Sequence, residues 1–141
     1  MTCETPHRKY LELALATTGL RGKTVVEVGS TPPSIALEHT AAAAWTSVNL
    51  DTKSVVRANE ETSRLGYTNY VAMHQDILGF NTGKLYDVIY SINAFEHIQD
   101  LGLALKKMLC SPKSGGYLFT LFGPIWSSDV GHHLSVCTDD K

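Results

Sequence analysis

The chain has 141 residues, 43% hydrophobic and 18% charged, with 12 basic against 14 acidic side chains and a net charge of -2. That suffices for one globular domain burying roughly 70% of its extended surface, and it offers no basic cluster to match a nucleic-acid backbone. No apolar run approaches the roughly 18 residues of a membrane span, and Met1 to Lys9 lacks the apolar stretch of a secretion signal, so a cytoplasmic protein without a membrane partner is expected.

Cys3, Cys110 and Cys137 are odd in number and far apart, which argues against both a disulfide framework and a zinc site. At the start, Thr5 can cap a helix with Pro6 in its first position; Tyr10, Leu13, Ala14 and Leu20 recur near helical spacing, and Gly19 offers a stop. Thr24-Val25-Val26-Glu27-Val28 then reads as a strand buried on both faces, with Gly29 and Ser30 turning the chain at its carboxyl end. Ser34 to His39 with Ala41 to Ala44 is predicted as a short helix, started by Pro32 and Pro33 and favoured by the alanines.

The run from Ala44 to Leu50 forms a second strand that ends at Asp51. An acid at that point can accept hydrogen bonds from both hydroxyls of a ribose, which makes adenosine the first ligand to consider, although an Asp after a strand is also a common helix cap. Ser54 to Leu65 carries Val55, Ala58, Thr62 and Leu65 on one helical face, with Gly66 as its stop. Tyr70 to Met73 is a third strand, ending near Asp76. After the turn Asn81-Thr82-Gly83-Lys84, Tyr86 to Ile92 is a fourth. Asp100 caps a helix whose inward stripe is Leu101, Leu105, Met108 and Leu109; Ser114-Gly115-Gly116 turns into a fifth strand, Tyr117 to Phe122. Strands alternating with helices call for a parallel, doubly wound α/β sheet.

The stretch LYDVIYSINAFEHIQDLGLALKKMLCSPKSGGYLFTLF resembles the fourth strand, the helix start, the glycine turn and the fifth strand of the class I S-adenosylmethionine-dependent methyltransferases, and the likeness extends from about Lys23 to Phe122. It implies a three-layer Rossmann-like domain and S-adenosylmethionine as cofactor. It also implies that Glu27 and Gly29 lie around the methionine part, Asp51 on the ribose, Asp76 and Ile77 beside the adenine, and Ser91 and Asn93 at the cleft where methyl group and acceptor meet. The family's E-x-G-x-G-x-G reads here as Glu27-Val28-Gly29-Ser30-Thr31-Pro32-Pro33, with Thr31 and Pro33 at the second and third glycine positions. The family sheet runs 3-2-1-4-5-7-6, so this chain is expected to form about five strands, 3-2-1-4-5, as though truncated at its carboxyl end, with the fifth-strand edge to be covered by the folded-back tail, by a second copy of the chain, or by the missing part of a longer protein.

Methyl transfer from a sulfonium needs chiefly alignment and exclusion of water. The expected acceptor is a small molecule; if it must lose a proton, His97, His132 and His133 are the candidate bases. His132 and His133 lie near Cys137, but adjacent histidines do not share a helix face, so no metal is expected. The rival readings are an inactive methyltransferase-like module, a fragment of a larger enzyme, and a nicotinamide-dependent oxidoreductase, which would want G-x-G-x-x-G in this loop.

Overall fold

The computed structural model describes residues 6–29, 31–81 and 83–123. Its elements in chain order are helix α1 (Pro6–Thr18), strand β1 (Thr24–Val28), a π-helical turn (Ile35–His39), β2 (Ala44–Asn49), α2 (Thr52–Leu65), β3 (Tyr70–His74), a 3-10 turn (Ile77–Gly79), β4 (Tyr86–Ile92), a second 3-10 turn (Phe95–His97), α3 (Leu101–Leu109) and β5 (Pro112–Leu121). The strands form one parallel sheet in the order β3-β2-β1-β4-β5, as expected from the sequence. Among the described residues no helix is long and apolar enough to cross a membrane.

Successive residues of a strand face opposite sides, so the apolar run of β1 supplies both cores at once. Val25 joins Leu11, Ala14, Leu37, Trp45, Val55 and Tyr90 on the side covered by α1 and α2, while Val26 and Val28 join Val48, Ile89, Phe95, Ala104 and Met108 on the α3 side. The same alternation sends Glu27 into the first of these cores. Helix α2 follows its expected face through Val55, Ala58 and Thr62, starts at the Asp51 cap and ends at Gly66, whose φ of 72° suits a residue without a side chain.

Five expectations are corrected. Ala41 to Ala44 is not helical: Ala41 takes φ 52°, and its carbonyl accepts from Gly22 N–H (2.8 Å). Ala43 N–H donates to Lys23 O (2.9 Å), so pairing beside β1 overrides alanine's helix preference, and Ala44 opens β2. In α1 the inward stripe is Leu11, Ala14 and Thr18, with Leu13 exposed. Leu65 and Leu109 also face solvent, and Ala104 with Met108 forms the buried line of α3, flanked by half-buried Leu101 and Leu105.

Finally, Ser114, Gly115 and Gly116 lie inside β5, in a bulge where residues 113 to 116 stand opposite Asp87 alone. A Cβ at Gly116 would meet Asp87 O at 3.0 Å and Lys113 O at 2.9 Å. Asp87 ties this end of the sheet together, accepting from Thr24 N–H (2.8 Å), Thr24 Oγ1 (2.7 Å) and Lys113 Nζ (3.0 Å). These donors, the Thr24 pair foremost, hold its carboxyl down to about 2.

The face of α3 is open to a direct test by chemical unfolding. Met108→Ala should cost about 2–5 kcal/mol as a buried truncation, and Leu109→Ala should stay within about 0.5 kcal/mol as a surface change. Equal effects would show that α3 is rotated from this position.

Candidate functional site

The sheet order reverses between β1 and β4, and a crevice opens at the carboxyl ends of these strands, where open α/β sheets bind ligands. A cavity of about 600 Å³ lies there. Val28 and Gly29 at the end of β1, Val48 to Leu50 at the end of β2, Gln75 to Leu78 after β3, and Ile92 to Ala94 with His97 to Gln99 at and beyond the end of β4 line it. Its walls are apolar at Val28, Val48, Leu50, Ile77, Leu78, Ile92 and Ile98, and the polar groups are mostly uncharged amides.

Each strand end is fixed by local bonds. Gly29 has φ 145°, and its N–H donates to Val48 O (3.1 Å) while its carbonyl accepts from Ser47 Oγ (2.7 Å). Asp76 caps the 3-10 turn by accepting from Leu78 N–H (2.9 Å). Asn93 sits at φ 52°, a strained region that asparagine tolerates better than most residues, and its N–H donates to Leu121 O (2.8 Å).

Behind the turn lies Glu27, 2% exposed. Its Oε1 accepts from Thr31 N–H (2.9 Å) and Thr31 Oγ1 (2.5 Å), and its Oε2 from Trp45 Nε1 (2.8 Å). Tyr70 OH donates to Thr31 O (2.9 Å), and the Trp45 ring meets Tyr90 edge-on at 5.5 Å. Burial pushes the Glu27 carboxyl above its ordinary value near 4.5, against the pull of the three donors. Burial, and then the Glu27 charge, raises the phenols of Tyr70 and Tyr90 as well.

Of the residues expected at the site, Gly29, Asp76, Ile77, Asn93 and His97 line this one cavity. Three others stand off it. Glu27 is buried behind the turn. Ser91 is fully buried and donates to Val28 O (3.0 Å). Asp51 is exposed, with its carboxylate folded onto α2, accepting from Lys53 N–H (3.2 Å), Ser54 N–H (3.1 Å) and Ser54 Oγ (2.5 Å); the Ser54 bonds lower its pKa. His132, His133, Cys137, Cys3, Thr5 and Ser30 fall outside the described residues.

Sequence reasoning missed Asn49, Gln75, Ile98 and Gln99. The first two were findable as the residues at strand carboxyl ends, whereas Ile98 and Gln99 carry no local signal. Among the described residues no cluster of three His, Cys, Asp or Glu could hold a metal, and Cys110 is a free, exposed thiol. The lining does fit a nucleoside: Leu50, Ile77 and Leu78 offer apolar faces to a base, and the Asp76 carboxylate offers an acceptor at its edge, while the Asn49 amide oxygen is held by Asp51 N–H (2.8 Å).

The raised Glu27 pKa has a definite consequence for stability. In the window above pH 4.5 the folded chain keeps a proton that the unfolded chain has released, so this group's contribution to stability falls as pH rises through the window. Urea unfolding between about pH 4.5 and 8 should show the advantage of the native protein over Glu27→Gln shrinking with pH. An advantage that grows with pH would mean that the three donors outweigh burial.

In sequence, residues 26–120 match the family described as Methyltransferase domain. Comparison with curated proteins finds no match. Among solved structures, the chain is similar to coclaurine N-methyltransferase bound to N-methylheliamine and SAH, with TM-score 0.70 and 22% identity over 79% of this chain and 34% of that one. It is similar to the N-methyltransferase NodS from Bradyrhizobium japonicum WM9 in complex with S-adenosyl-L-homocysteine, with TM-score 0.68 and 20% identity over 84% of this chain and 63% of that one. It is also similar to the [4+2]-cyclase SpnF, with TM-score 0.72 and 17% identity over 80% and 43% of the two chains. The chain thus spans between about a third and just under two thirds of these structures. The match across most of its length and the 3-2-1-4-5 sheet together identify it: the chain belongs to the methyltransferase domain family and has the Rossmann-like fold of the class I S-adenosylmethionine-dependent methyltransferases.

Proposed function

We propose that the chain binds S-adenosylmethionine in the switch-point cleft and directs methyl transfer to a small-molecule acceptor. The observation that carries this reading is the convergence of Gly29, Asp76, Ile77, Asn93 and His97 on one cavity. When bound, the cofactor supplies an activated methyl group on a sulfonium. The chain's own residues then have a limited task. Ile77 and Asp76 flank the base, Asn93 and His97 border the acceptor, and Asp51, folded onto α2 in the free chain, exchanges its Ser54 bonds for the ribose when the cofactor binds. His97 takes the acceptor's proton where one must leave, with His132 and His133 as the other candidate bases. The mostly uncharged lining suits a small acceptor better than a polyanion.

A second reading, a module that binds without catalysing, draws on Thr31, Pro32 and Pro33. The prolines remove backbone donors from a turn that would face the ligand. The likeness to a cyclase is a further reason not to equate fold with methyl transfer.

Calorimetry with S-adenosylmethionine, S-adenosylhomocysteine and NAD separates the possibilities. Binding of the first two and not of NAD is expected, and binding of NAD alone would overturn the proposal. Asp51→Ser isolates the ribose contact, because serine caps a helix about as well as aspartate. Stability should change by less than about 0.5 kcal/mol, while cofactor affinity should fall by about 1.5 kcal/mol or more, the range for a hydrogen bond to a charged group. Unaltered affinity would leave Asp51 as a cap alone.

We propose also that β5 pairs with a second copy of the chain. It is one of the two edge strands of the sheet, with Tyr117 exposed on it and Phe122 exposed just beyond its end. Sedimentation should find a dimer at micromolar concentration, and a monomer throughout would refute the pairing.

A further inference from the structure

The turn after β1 has no backbone donor left to offer among its described residues. Gly29 N–H is bonded to Val48 O at 3.1 Å, Thr31 N–H to Glu27 Oε1 at 2.9 Å and Ser34 N–H to Glu61 Oε1 at 3.2 Å. Pro32 and Pro33 have no N–H at all. The Thr31 side chain is turned inward on the same carboxylate, and Thr31 is 2% exposed. Nothing from Thr31 to Pro33 lines the cavity, and no lysine or arginine among the described residues does so.

Among the described residues, a ligand carboxylate brought here would therefore lose its water without gaining a charged partner or a cluster of N–H groups. The other end of the cavity is the reverse. Leu50, Ile77 and Leu78 give apolar surface, and Asn49 and Gln75 give amides.

We propose that this cleft recognises its ligand as a nucleoside: it holds the adenosine portion of a 5′-thio-adenosine compound and makes no specific contact with the amino-acid end, so that compounds lacking that end bind as well as those carrying it. The inference rests on the reading of the cleft as an adenosyl site and adds a selectivity to it. The Glu27–Thr31 bonds and the two prolines leave the described residues of the turn with no free N–H to close on a ligand carboxylate.

The test is calorimetry on the full chain with S-adenosylhomocysteine, 5′-methylthioadenosine and adenosine. The first two should have dissociation constants within about threefold of each other. S-adenosylhomocysteine binding about thirtyfold or more tightly than methylthioadenosine would overturn the inference while leaving the adenosyl site standing. Absence of binding by all three would overturn both. The double variant Thr31→Gly with Pro33→Gly reopens the turn and should tighten S-adenosylhomocysteine about tenfold with methylthioadenosine unchanged. Equal tightening of both would count against the turn as the cause, and the ratio measured on the native chain decides the matter if the variant does not fold.

Discussion

A single buried carboxylate organises the business end of this sheet. The period of β1 forces Glu27 into the core, since Val25 on the same face packs against α1 and α2. An unpaired charge there would be costly, and the structure answers with three donors from two other segments: two from Thr31 across the turn and one from Trp45 on β2. Tyr70 on β3 then holds the Thr31 carbonyl. One acid thereby links the end of β1 and the turn after it to the starts of β2 and β3.

The remaining wall is built on strand ends as well, which is why the site is geometrically well defined. β4 delivers Ile92 and Asn93, the latter held at a strained φ by its bond to Leu121 O, so the outer strand β5 fixes a residue that it does not bring into the cavity. β3 delivers Asp76 in a capped turn. The arrangement is one of preorganised polar groups around an apolar slot, suited to a flat heterocycle. At the opposite end of the sheet, Asp87 joins Thr24 and Lys113, so each end of β1 is tied to its neighbours by one carboxylate.

Much of this was legible in the sequence because local and tertiary preferences agree. β1, β4 and α2 carry continuous apolar runs or a clear helical stripe with proper ends, and their order alone gives the parallel sheet. The failures fall where the two levels conflict. Alanines 41 to 44 favour a helix, yet they are drawn into pairing beside β1. Gly115 and Gly116 look like a turn, yet close approach of Asp87 makes them part of a bulged strand. Leu109 fits a hydrophobic stripe by type but lies a step off the buried line. At the site, residue type could not say that Asp51 turns back onto its own helix while Asn49, two positions earlier, reaches the cavity. That distinction depends on side-chain direction at the strand end.

Amide hydrogen exchange at Thr31 tests the central role of Glu27 most directly. The Thr31 N–H and the Trp45 indole N–H both end on the buried carboxylate, so both should exchange slowly in the native protein, and both should lose protection in Glu27→Ala while amides of α3 keep theirs. A Thr31 amide that exchanges at the rate of an open loop in the native protein would contradict it.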